Sequence, residues 1–386
     1  MKKNKITIIL IALIILALIV VGIFLFKKRT TSGAIFYFKS EGKDASLFYV
    51  NNGNNPKKLI TILAEGGDPG EYKAPKHIYV SHNGNSLIYF EKTGLVPIQA
   101  IPGKEDFTMY RIIYKPKFVD LGKNSIKDIN QDIDTSNLLF SPDDKKIAWV
   151  LSAKESTLDE LEKAGRKREV FISDVDGTNA KSLTVLDDNV VLLERWQGDY
   201  IYFRGIKGVG YYSLGRTDIK TGKTEYIKPK YCSDNLANCQ NFNFSSSGEF
   251  FIYEASSTRD NKNIIELFAE DFNNKRSWQI LCKNYISDRL WMPDEKNIIY
   301  TEQENVKEVG IREKIHLVDL KTNKDQELYT GSYVSQIFPG RSGDYLYFLE
   351  KETDTKFNLV RLNIKTKKSE ILDFGDYSQF QIFSAN

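Results

Sequence analysis

The chain has 386 residues, of which 41% are hydrophobic and 12% aromatic, with 54 Lys and Arg against 51 Asp and Glu. Six cations (Lys2, Lys3, Lys5, Lys27, Lys28 and Arg29) fall in the first 32 residues, which hold no acid, so the formal +3 leaves 48 cations against 51 anions beyond them, a net of −3. A nucleic-acid binder carries a clustered basic footprint; the body of this chain does not, which excludes nucleic acid from the expected partners.

From Ile6 to Phe26 no residue is charged. A helix of that length rises about 30 Å, roughly the hydrocarbon thickness of a bilayer. A cleaved signal peptide has an apolar region of only about 7–15 residues and ends at a small-x-small site. This run is longer and leads into Lys27-Lys28-Arg29. Residues 1–32 are therefore expected to form a short basic cytoplasmic end and an uncleaved transmembrane signal-anchor helix. Basic residues flank both ends, so the positive-inside rule nearly ties; a short basic N-terminus stays inside while long domains translocate regardless of charge. The expected address is the cell membrane, single-pass, with the large domain on the extracytoplasmic side.

Beyond residue 32 a short apolar strand built on an aromatic recurs: AIFYF (34–38), SLIYF (86–90), KIAWV (146–150), YIYFR (200–204), FFIYE (250–254), NIIYT (297–301) and YLYFL (345–349). Aligned on Tyr37, Tyr89, Trp149, Tyr202, Tyr253, Tyr300 and Tyr347, the copies are about fifty residues apart, the signature of a repeat architecture. An apolar strand and a polar turn precede each complete copy, as in LLFSPDDKK (138–146) and FNFSSSGEF (242–250), and a polar-tipped hairpin follows, as in HLVDLKTNKDQELY (316–329). Four short antiparallel strands per repeat cannot bury both sheet faces alone; radial stacking does so. The fold class predicted is all-β, a propeller of seven four-stranded blades over residues 33–386. The first copy lacks its preceding strand, and Gln379–Asn386 resembles that strand, so the C-terminus is expected to close the ring and remove exposed edges.

Two stretches break the period. Between Val150 and Val170, Thr157 with Glu160 suits a capping box, Leu158 and Leu161 share a face and Gly165 suits a stop, predicting one short inserted helix. Leu158, Glu160 and Leu161 are the partner-contact candidates, since insertions on loops commonly carry function; a solvated structural loop is the competing reading. The second blade is irregular through Pro97, Pro102-Gly103 and the strand-like Thr108–Tyr114.

Cys232 and Cys239 flank a short polar loop that could close as a disulfide in an oxidising compartment, or remain two thiols. Cys282 reads as an ordinary buried thiol.

Phe140-Ser141-Pro142-Asp143-Asp144-Lys145-Lys146-Ile147-Ala148-Trp149, with Asp174-Val175-Asp176-Gly177 leading to Leu183-Thr184, resembles the TolB-like, WD-like propeller repeat. In that family a Ser-Pro-Asp-Gly turn precedes the second strand. Only the third blade matches well; elsewhere the turn becomes Ser81-His82-Asn83-Gly84, Ser246-Ser247-Gly248-Glu249 or Met292-Pro293-Asp294-Glu295. The resemblance implies the architecture of residues 34–386. Periplasmic scaffolds and the propeller domains of some peptidases share such repeats, so it implies no single function.

Local catalytic motifs are absent from the sequence. It holds no Gly-x-Ser-x-Gly elbow and no residues for an additional hydrolase domain. His77, His82 and His316 are far apart and outside metal-ligand spacings. Gly205–Gly210 has the wrong spacing for a dinucleotide loop. Asp174–Asn179 faintly resembles a calcium loop, but the twelfth position is Val185 rather than Glu, and a hairpin turn accounts for Asp176-Gly177. No catalytic, cofactor or metal residues and no cofactor are expected. The function expected is a non-catalytic scaffold binding a protein, a peptide or a cell-envelope component. The alternative is a propeller enzyme, of lyase, hydrolase or cyclotransferase type, with its site at the channel mouth.

Overall fold

A computed structural model describes residues 35–384 outside 42–43, 51–55, 64, 67–71, 74–76, 100–107, 152–166, 209–210, 234–235, 237, 260–261, 274, 281–284, 307–309, 341 and 377–379. All regular structure among the described residues is strand. Blade 1 holds β1 (Ile35–Glu41), β2 (Asp44–Val50) and β3 (Lys57–Leu63), and a ribbon of β4 (Glu65–Gly66) and β5 (Tyr72–Lys73) follows it. Blade 2 is β6 (Ile78–Val80), β7 (Ser86–Gln99), β8 (Thr108–Asp120) and β9 (Ser125–Asp128). Blade 3 is β10 (Ile133–Phe140), β11 (Lys146–Leu151), β12 (Arg168–Asp174) and β13 (Lys181–Leu186). Blade 4 is β14 (Val190–Gln197), β15 (Tyr200–Gly208), β16 (Tyr211–Asp218) and β17 (Thr224–Tyr226). Blade 5 is β18 (Cys239–Phe244), β19 (Phe250–Arg259), β20 (Lys262–Asp271) and β21 (Ser277–Ile280). Blade 6 is β22 (Tyr285–Trp291), β23 (Asn297–Val306), β24 (Gly310–Asp319) and β25 (Lys324–Gly331). Blade 7 is β26 (Val334–Pro339), β27 (Tyr345–Lys351), β28 (Lys356–Asn363) and β29 (Ser369–Asp376), and the last strand is β30 (Phe380–Ser384).

Seven four-stranded antiparallel sheets result, and in blade 1 the order β3-β2-β1-β30 puts the C-terminal strand innermost. Tyr37 pairs with Ile382 and Lys39 with Phe380. The ring is a seven-bladed propeller closed by its C-terminus.

The core explains the sequence pattern. The second strand of each blade has both faces buried, so it reads as a continuous apolar run instead of an alternating one. In β1, Phe36 and Phe38 pack towards blade 2 while Ile35 and Tyr37 pack towards blade 7. Seven apolar clusters result, one at each blade boundary. All seven aligned aromatics are at most 5% exposed. Their facing differs in two blades: Tyr202 and Tyr347 face the following blade, and Phe203 and Phe348 take the place that Trp149, Tyr253 and Tyr300 hold against the preceding one. YIYF and YLYF carry two aromatics one residue apart, so alignment by aromatic alone slips a position there.

The up-down course of the strands gives the ring two unlike faces. On the turn face lie the first-to-second and third-to-fourth strand connections. They are tight, and Gly84, Gly248 and Gly343 take positive φ of 69–74° in them. On the hairpin face lie the second-to-third strand hairpins and the connections between blades. The hairpins of blades 2, 5 and 6 are long, with 14 and 13, 10 and 10, and 10 and 10 residues per strand, against 7 and 7 in blade 1. Thr108–Tyr114 belongs to the extended arm of blade 2. Leu158, Glu160, Leu161 and the predicted inserted helix lie outside the described residues, as do the apolar run 6–26 and Cys282. Among the described residues no helix is long and apolar enough to cross a membrane.

Candidate functional site

Inner strands are where a propeller can present polar groups to its central channel, and in five blades they are irregular. The pairing of first and second strands is shifted by bulges between Ile133 and Leu138, Leu193 and Arg195, Gln240 and Asn243, Ile286 and Arg289, and Ser335 and Phe338. A bulge leaves a residue outside the ladder and re-aims its side chain. The residues involved include Asn137, Glu194, Asn241, Asp288 and Gln336, all polar. Two of them tie neighbouring blades: Asn137 Oδ1 accepts from the Leu193 amide at 3.0 Å, and Gln336 Oε1 accepts from the Ile382 amide at 2.8 Å.

Glu194 and Asn241 belong to a charged cluster across blades 4, 5 and 6. Arg204 pairs with Glu194 at 3.0 Å. Arg289 reaches from blade 6 to Glu254 of blade 5, a carboxylate only 4% exposed. Glu254 also accepts from Gln240 Nε2 and Asn241 Nδ2, each at 3.0 Å. Burial, with the nearby Arg204 charge, lowers Arg289 to about 10, so the group stays cationic at neutral pH. Burial pushes Glu194 above the ordinary carboxylate range, with Arg204 opposing it. Burial, then the charge of Glu313, raises Asp288 as well.

Beside this cluster, on the hairpin face, a cavity of about 170 Å³ is lined by Tyr212, Asn238, Cys239, Gln240, Glu254, Ser256 and Ile265. Its rim is the connection from blade 4 to blade 5, closed by a Cys232–Cys239 disulfide with Cα atoms 5.7 Å apart. The Lys230 amide donates to Glu270 at 3.0 Å, and Asn238 Oδ1 accepts from the Ser233 amide at 2.7 Å. Tyr231 stacks on Phe268 at 4.2 Å and remains 41% exposed; Ile265 is 43% exposed. The cavity thus sets the paired Glu254 carboxylate beside the exposed Ile265, next to a bridged loop.

The three histidines remain apart. His82 meets Asp144 at 2.8 Å on the turn face, His77 packs edge-on to Tyr114 and Phe90, and His316 stacks on Tyr300 and pairs with Asp325 at 3.0 Å. Among the described residues no three His, Cys, Asp or Glu side chains converge as metal ligands would. Asp174 and Asp176 are engaged by Lys146, Asn179 and Thr178 in a hairpin turn with Gly177 at φ +81°. Sequence reasoning missed the charged cluster. Its members are separated by up to 95 residues (194 to 289), and the bulges that gather them leave no local motif.

No protein-family model matches the sequence, and no curated protein matches it. Solved structures do match, in 435 chains, so the fold is common. One is TolB from Acinetobacter baumannii, 13% identical, covering 77% of this chain and 64% of that one at a TM-score of 0.46. An oligogalacturonate lyase in complex with manganese is 11% identical, covering 88% and 84% at a TM-score of 0.55. A prolyl endopeptidase is 9% identical, covering 92% of this chain and 51% of that one at a TM-score of 0.56. The chain thus spans less than two thirds of TolB and about half of the endopeptidase. The lyase and the endopeptidase, at TM-scores above 0.5, show the propeller fold alone.

Proposed function

We propose that this protein is a membrane-anchored, extracytoplasmic binding scaffold whose hairpin face receives a protein or peptide partner. The observation that carries the reading is the inequality of the two faces. The turn face consists of tight reversals. The hairpin face gathers the extended arms, the exposed Ile265, and the cavity over Gln240 and Glu254 beside the Cys232–Cys239 bridge. Apolar surface beside polar groups is the ordinary composition of a recognition site. Anchoring is supported by the uncharged run 6–26, and the extracytoplasmic address by that run and the Cys232–Cys239 bridge, which suits an oxidising compartment. Crosslinking in the native membrane followed by identification of the captured partner tests the reading. A reproducible partner whose crosslinks map to the hairpin face is the expected result; crosslinks confined to the turn face would overturn it.

One observation favours an enzyme instead. Glu194 is raised by burial while paired with Arg204 near Arg289, and a carboxylate held in its neutral form more readily than usual can act as a general acid. Enzymes with this fold include a lyase and a peptidase. Turnover of an anionic oligosaccharide or a peptide, abolished by Glu194→Gln with the fold intact, would establish this second reading.

A further inference from the structure

The chain enters the propeller at Ile35, and the face at which it enters fixes which way the ring must point. Ile35 pairs with Val50 and Ser384, at the end of blade 1 where the other blades carry their first-to-second strand turns. It therefore lies on the turn face, at the boundary of blades 7 and 1. Eight residues, Lys27 to Ala34, separate it from the apolar run, and even fully extended they span at most about 28 Å.

The charge of the turn face is uneven, and the unevenness falls at that boundary. The third-to-fourth strand turns of blades 2 to 6 each hold lysine or arginine together with an aspartate: Asp120 with Lys123, Asp174 with Lys181, Asp218 with Lys220, Asp271 with Lys275, and Asp319 with Lys321. The two turns flanking the entry point hold no acid. Blade 7 has Asn363-Ile364-Lys365-Thr366-Lys367-Lys368-Ser369, and the uncharged stretch 51–56 of blade 1 leads into Lys57-Lys58. All five lysines are exposed, the Lys365 side chain by 83%. Lys365 pairs with Asp344 at 3.5 Å, and Lys367 Nζ donates to the Glu327 carbonyl at 2.7 Å. Lys27, Lys28 and Arg29 extend the same basic sequence toward the apolar run.

We propose that this sector of the turn face docks on the headgroups of an anionic bilayer, holding the propeller upright with its hairpin face turned away from the membrane. The inference rests on the anchor reading above and adds to it an orientation and a lipid chemistry. Basic residues beside an anionic surface each gain roughly a fivefold preference for it, and the contact weakens with salt because the screening length is only about 8 Å at physiological ionic strength.

The test uses the full chain reconstituted into lipid nanodiscs, either of phosphatidylcholine alone or mixed with phosphatidylglycerol, and labelled with an amine-reactive reagent read out by peptide mass. Lys57, Lys58, Lys365, Lys367 and Lys368 should label several-fold more slowly in the anionic discs, while Lys356, exposed at the hairpin of blade 7, labels equally in both. The triple variant Lys365→Gln, Lys367→Gln, Lys368→Gln should return Lys57 and Lys58 to the rates seen in neutral discs, and high salt should do the same. Equal labelling of the five lysines in both discs, in a chain that has incorporated, would overturn docking and leave the anchor standing. A chain recovered apart from the discs would overturn the anchor and docking together.

Discussion

Asp144 and Glu295 occupy the turn position that Gly84, Gly248 and Gly343 occupy in other blades, and they keep its positive φ, at 57° and 54°. Their carboxylates explain why a residue with a Cβ is tolerated there. Asp144 accepts from the amides of His82 and Asn83, at 2.7 and 2.8 Å, and also meets His82 Nδ1. Glu295 accepts from the amide and hydroxyl of Ser247. Each acid thus clips a turn to that of the preceding blade, and an acid in place of the glycine of a Ser-Pro-Asp-Gly turn is an inter-blade staple. Asp144→Ala should cost about 1–3 kcal/mol, since it removes a charged acceptor from a half-buried and an exposed amide and keeps the strained φ. Asp144→Gly should cost about 1 kcal/mol less, by relieving that strain. Equal losses in urea titrations would show that the backbone there is relaxed. Trp149, 1% exposed, donating to Ser173 Oγ at 3.2 Å and stacked on Phe171 at 4.5 Å, should cost about 3–5 kcal/mol as Trp149→Ala; a loss under about 1 kcal/mol would place it outside the core. Asp288 gives a pH signature. Its folded pKa is raised by burial and then by Glu313, so the ionised form is disfavoured on folding. The penalty is absent well below the ordinary carboxylate value and grows as pH rises from there through the raised folded value. Asp288→Asn should therefore raise the melting temperature at pH 7 and leave it nearly unchanged at pH 3; an equal effect at both values would remove burial of the charge as the cause.

At the scale of the element, the C-terminal strand and the disulfide loop make opposite kinds of contribution. β30 completes blade 1 and is tied to blade 7 through Gln336, while across the same closure Tyr37 and Lys39 donate to Asp373 at 2.9 and 2.8 Å. Deleting the last ten residues removes that strand and opens the ring, so unfolding of the whole domain should shift to much lower urea; a truncated chain that melts like the full one would refute closure. The bridge spans seven positions of sequence, and closing so small a loop stabilises by roughly 2–3 kcal/mol in the chain-entropy account. Sequence legibility follows the same division. Strands buried on both faces write a continuous apolar run, and β30 is recognisable because it resembles Phe242–Ser247. The bulged inner strands are different: their geometry comes from packing around the channel, and nothing in a stretch such as Leu192-Leu193-Glu194-Arg195 announces that Glu194 will meet Arg204 beside Arg289.

For the whole molecule, the question is how a ring of similar blades comes to have one working face. Repetition fixes the turn face, because every blade must reverse tightly there to let its neighbour pack. The hairpin face has no such constraint, since a second-to-third strand hairpin can lengthen outward without disturbing the blade boundary below it, and blades 2, 5 and 6 do lengthen. Variation in sequence therefore collects where it costs the core least. This separation makes the proposed function open to a clean test, because exposed residues away from buried features change stability by only about ±0.5 kcal/mol. Ile265→Asp alters the exposed apolar lining of the cavity, and Lys296→Ala with Lys321→Ala alters two exposed turn positions on the opposite face. Both variants should melt within a degree or two of the parent by this argument. Only the first should lose the crosslinked partner; if both retain it, or if the turn-face variant alone loses it, the hairpin face is not where the partner binds.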